Sequence, residues 1–89
     1  MIMARSLAGH DKNKLYLVIE ETDISVTLVN GTTKKMESPK IKAKKHVQAI
    51  NRLPEQIEKE REEIRNLTDE KVACLIKSYK KAIGLKEDI

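Results

Sequence analysis

Between residues 34 and 46 the chain sets six lysines and a histidine against one acid: Lys34, Lys35, Lys40, Lys42, Lys44, Lys45 and His46, with Glu37 alone opposing them. An ammonium is a compact point charge with three donors, suited to phosphate oxygens and blind to base identity. Pro39 stands inside the run and turns Ser38 away from helical angles. The segment therefore reads as an extended loop whose lysines fan along a polyanion backbone. A solvated loop is the plain alternative for any lysine run, but few acidic residues lie close by in sequence to neutralise this one. A second basic group, Arg5, His10, Lys12 and Lys14, brackets Gly9-His10-Asp11-Lys12-Asn13, a tight loop in which Asn13 can take left-handed angles. On one rim of a small fold, the two groups would form a single cationic surface.

Other chemistry has no support in the sequence. His10 and His46 have no Ser or Cys nucleophile and no carboxylate pair at a recognisable spacing. There is no glycine-rich phosphate loop, zinc spacing or dinucleotide fingerprint, so an enzyme, a cofactor and a metal are not expected. With two tyrosines and no Phe or Trp, base stacking is scarce. Tyr16 falls within an apolar run and Tyr79 on a helix stripe, so recognition through phosphates and RNA shape outranks reading of single strands. The lone Cys74 cannot form an internal disulfide, which suits a reducing, cytoplasmic setting. No run approaches the roughly 18–20 apolar residues of a membrane span, so no membrane partner is expected.

Length and charge bound the frame that must carry these groups. At 89 residues, 39% hydrophobic and 2% aromatic, the chain builds one modest core of aliphatic side chains. Residues 1–53 carry ten basic and five acidic residues, net +5, and residues 54–89 eight basic and nine acidic, net −1. That asymmetry suggests a polyanion-facing half joined to an ordinary solvated helical half. Residues 14–19 are nearly continuously apolar, as in a strand covered on both sides. Residues 24–29 alternate apolar with hydroxyl residues and run into Asn30-Gly31, a two-residue hairpin signal that predicts a return strand over 32–36. Residues 5–8 and 47–50 complete five short strands. Helix formers fill 55–66 after Pro54. Thr68 or Asp69 then reads as an N-cap, with Val72, Leu75, Ile76, Tyr79 and Ile83 on one face and Gly84 suited to end the helix. The expected architecture is mainly β plus α. A small barrel spans residues 1–52, and a helical hairpin over 53–89 packs on that barrel or on a partner.

Ser6-x-Ala8-Gly9-His10-Asp11, an apolar strand, Asn30-Gly31, and Pro39-Lys40-x-Lys42-x-x-Lys45-His46-Val47 together resemble the KOW-domain RNA-binding proteins, which are similar to archaeal and eukaryotic large-subunit ribosomal proteins. The likeness spans most of residues 4–50, and the tail around Leu67-Thr68-Asp69 resembles those of short bacterial members. Members often carry Arg at the position of His10 and Gly at that of Asn13. The resemblance implies an SH3-like barrel whose first loop and basic loops contact structured RNA. Ribosomal RNA of the large subunit is the expected partner, with ribosomal proteins nearby. A rival expectation is a protein-interaction adaptor docking on transcription or translation machinery through the barrel rim or the helix stripe over 72–83.

Overall fold

Successive side chains of a strand point to opposite faces, so the unbroken apolar run at Leu15, Tyr16 and Leu17 needs cover on both. The computed structural model describes residues 1–84, and the last five residues of the helical segment expected over 53–89 lie outside the described residues. The run forms the start of β2 (Leu15–Glu21). With β1 (Met3–Ser6), β3 (Ser25–Val29), β4 (Lys40–Ala43) and β5 (Val47–Ile50), it makes a five-stranded sheet of order β4-β3-β2-β1-β5. Every described pairing is antiparallel. Leu15 and Leu17 face the helices α1 (Glu55–Glu63) and α2 (Asp69–Ala82), sharing a core with Met3, Val29, Ile57, Val72, Leu75, Ile76 and Tyr79. Tyr16 faces the opposite way into a second cluster with Ala4, Val26, Leu28 and Val47. The buried residues of that cluster come from β1, β2, β3 and β5, and none comes from a helix. Each large aliphatic side chain enclosed in this way stabilises the fold by roughly 1.5–3 kcal/mol.

The helical segment packs on its own sheet. Thr68 caps α2, its hydroxyl accepting from the Lys71 amide at 3.3 Å, with Asp69 and Glu70 in the first turn and Lys80 and Lys81 in the last, where they suit the helix dipole. Gly84, at φ +75°, follows the helix as expected. Of the stripe expected over 72–83, Val72, Leu75, Ile76 and Tyr79 are buried against the sheet, and Ile83 is exposed. The first helix is shorter than the 55–66 expected from helix formers alone. It ends at Glu63, and Ile64 takes an extended conformation, so that Ile64 and Leu67 pack against the core. Of the charge pairs open to α1, Arg61 with Glu58 forms, at 3.2 Å. No described helix is long and apolar enough to cross a membrane.

The hairpin expected at Asn30-Gly31 does not form. Only Gly31 has a positive φ, +77°, whereas a two-residue turn of that type needs both residues there. The Asn30 side chain instead organises a longer loop, its Oδ1 accepting from the amides of Thr32 at 3.0 Å and Lys34 at 2.8 Å. The loop is strapped to the start of α2, where the Met36 amide donates to Asp69 Oδ1 at 2.8 Å. Residues 32–36 are thus loop, and the strand that pairs with β3 is β4, with Thr27 opposite Ile41. Consequently Lys40 and Lys42 belong to a strand, and Lys44–His46 to a 3-10 turn, not to the single loop expected over 34–46.

Candidate polyanion interface

β1, β2 and β3 form a meander, so the β1–β2 loop and the β3–β4 loop leave the sheet at the same end. The first of these loops turns through Gly9 (φ +87°) and Asn13 (φ +73°), and this carries Asp11 back against Ser6 and Tyr16. Four donors meet its carboxylate there. Ser6 Oγ and Lys42 Nζ each donate to Oδ1 at 2.9 Å, and Tyr16 Oη and Lys40 Nζ each donate to Oδ2 at 2.9 Å. Lys40 and Lys42 sit two apart in β4, so both reach from one face of the strand. Asp11 therefore ties the two basic segments together. It does so as a buried structural ion.

Burial pushes the Asp11 carboxyl up, but the bonds from Lys42, Lys40, Ser6 and Tyr16 together outweigh it and hold the group well below the usual carboxylate range. Burial, with the bond to Asp11 and its charge, pushes the Tyr16 phenol above its ordinary value. Tyr16 consequently stays protonated and keeps donating. At the opposite end of β2, Lys44 lies 2.7 Å from Glu21 Oε2 and the Met1 amine 3.1 Å from Glu21 Oε1. The bonds from Lys44 and from the Met1 ammonium draw the Glu21 carboxyl below its ordinary value.

These contacts sort the cations expected to meet a polyanion. Lys42 donates to Ser6 Oγ, Ala8 O and Asp11 Oδ1, three acceptors for three protons, and its side chain is only 11% exposed. It has nothing left to offer a ligand. Lys40 uses one donor on Asp11 and its side chain keeps 33% exposure. Lys44 is held by Glu21. The remaining expected cations, Arg5, Lys12, Lys14, Lys34, Lys35 and Lys45, make no salt bridge among the described residues. Lys12, Lys14, Lys35, Lys45, His10 and His46 are exposed, and Arg5 and Lys34 are half-buried. The His46 carbonyl accepts from the Leu7 amide at 2.9 Å, which sets Lys45-His46 beside the start of the β1–β2 loop.

Reading along the chain missed the neutralising acids, because Asp11 and Glu21 lie far in sequence from the lysines they hold. One signal pointed to Asp11: Lys40-x-Lys42 at strand spacing puts two ammoniums on one face, and such a pair calls for a carboxylate when its face turns inward. No group of three or more His, Cys, Asp or Glu able to hold a metal occurs among the described residues. No family model matches this sequence, and no curated protein resembles it at a significant level.

Proposed function

We propose that this chain is a ribosome-associated RNA-binding protein of the KOW kind, an SH3-like barrel that contacts structured RNA through the loops at one end of its sheet. The observation that carries this reading is the partition of charge. Asp11 and Glu21 hold Lys40, Lys42 and Lys44, while Lys12, Lys14, Lys35 and Lys45 stay exposed without a described acidic partner. A strand order in which β1 lies between β2 and β5, with an inner cluster shared by four strands, supports the barrel reading. The exposed ammoniums grip phosphates, and the scarcity of aromatic residues leaves sequence preference to the RNA fold.

The test is binding to purified large-subunit ribosomal RNA across a salt series. With about four to six phosphate contacts, log affinity should fall against log salt with a slope of about −3 to −5. The double variant Lys35→Glu/Lys45→Glu should weaken binding more than tenfold with circular dichroism unchanged, whereas Lys59→Glu on α1 should not. An affinity indifferent to salt, or unaffected by Lys35→Glu/Lys45→Glu, would overturn the phosphate grip of these loops, and no binding at all would overturn the RNA reading. Crosslinking in cells followed by sequencing of the attached RNA decides the ribosomal part, since fragments scattered over unrelated messages would contradict it.

A further inference from the structure

A cleft of about 410 Å³ opens between the β1–β2 loop, the β3–β4 loop and α2. Its polar lining is Lys14 from the first loop, Asn30, Thr32 and Thr33 from the second, and Lys77 and Lys80 from the helix. Leu15 and Ile76 form its apolar floor. Lys77 and Lys80 are three apart and so share a helix face. None of the three lysines makes a salt bridge among the described residues, and no described Asp or Glu lines the cleft. Thr33 Oγ1 accepts from Asn30 Nδ2 at 2.9 Å, which leaves the threonine's own proton to be donated outward. Asn30 cannot turn away, because its Oδ1 is held by the loop amides.

We infer that this cleft is a phosphate-binding site, and that through it α2 joins the loops in holding RNA. The inference rests on the RNA-binding reading above and extends it to the helical half of the chain. Three ammoniums around one opening, with no described carboxylate among them, match a nucleic-acid backbone, which repeats a unit negative charge at every phosphodiester. A single peptide carboxylate brings one charge and would leave two of the three ammoniums without a partner. The position of the cleft supports the same occupant. Lys14 continues the loop that bears Lys12, and Asn30 closes on the backbone of Lys34, so successive phosphates of one strand can pass from the loops into the cleft.

Two measurements test it. Titrating the intact protein with inorganic pyrophosphate should shift the backbone amide resonances of Thr32, Thr33 and Lys77, and the shifts should vanish in Lys77→Gln/Lys80→Gln, whose glutamines keep helix propensity. In the second, the same double variant should bind a short RNA duplex about tenfold or more weakly, with the salt slope reduced by about 1.4 to 1.8, the loss of two contacts. Lys14→Gln, off the helix, should move both readouts in the same direction. Cleft amides unmoved by pyrophosphate overturn the inference, whatever the RNA data show. Wild-type affinity and slope in Lys77→Gln/Lys80→Gln overturn it too, and leave the loop reading standing if Lys35→Glu/Lys45→Glu still loses binding. If the wild-type protein binds no RNA, both readings fall.

Discussion

At Asp11 one carboxylate answers two ammoniums and two hydroxyls, and that balance governs how stability responds to pH. Its carboxyl is held below the unfolded value of about 3.9. The contribution of Asp11 is therefore complete above that pH and is lost as pH falls toward the depressed folded value. Tyr16 behaves oppositely. Its phenol is raised above the unfolded value of about 10, so its contribution is complete below pH about 10 and is lost as pH rises past it. Asp11→Asn removes the charge but keeps the shape, leaving Lys42 enclosed beside a neutral partner. The expected cost at neutral pH is about 3 kcal/mol, measured by urea unfolding, and the acid limb of the stability curve should flatten. A variant as stable as wild type at pH 7 and equally acid-sensitive would deny Asp11 this role.

Among the elements, Gly31 sets how the β3–β4 loop meets α2. A Cβ there would stand 2.1 Å from the Asp69 carbonyl oxygen and 2.8 Å from the Ala73 nitrogen, both backbone atoms of the helix that cannot swing aside. Its φ of +77° adds strain for any other residue. Gly31→Ala should thus cost well over 1 kcal/mol, read as a fall in melting temperature. It should also disturb the Thr32 and Thr33 amides, because the same contact shapes the cleft. The elements differed in how legible they were. β2, β3, β5 and α2 followed from apolar runs, alternation and a capping threonine, which are local properties. The β3–β4 connection did not. Asn30-Gly31 carries a strong local turn signal, but docking on α2 and the Asn30 side-chain bonds determine its geometry, and both are tertiary. The pairing of Lys77 and Lys80 with Lys14 was likewise out of reach, since a helix of mixed charge gives no hint which of its lysines will face a loop some sixty residues earlier in the chain.

For the molecule as a whole, the two expected parts share one buried cluster. The sheet face carrying Met3, Leu15, Leu17 and Val29 is covered by Ile57, Val72, Leu75, Ile76 and Tyr79. A chain ending at residue 52 would expose that face, and a remaining core of five residues is too small to offset chain entropy of about 1–2 kcal/mol per ordered residue. Residues 1–52 alone should give collapsed, poorly dispersed amide spectra. A well-dispersed spectrum would show that the sheet folds by itself. A poorly dispersed spectrum would make the division at residue 52 a change of secondary structure within one cooperative unit. The net of +4 combines lysines held on acids, Lys40 and Lys42 on Asp11 and Lys44 on Glu21, with exposed loop lysines that have no described acidic partner.

The bond from Tyr16 to Asp11 also gives the molecule an optical signature. Without tryptophan, its near-ultraviolet absorption and emission come from two tyrosines, one of them bonded directly to a carboxylate at 2.9 Å. A carboxylate accepting from a phenol quenches its fluorescence in the ground-state complex. The folded protein therefore emits mainly from Tyr79, and its emission brightens as the Tyr16–Asp11 bond comes apart, with no label attached.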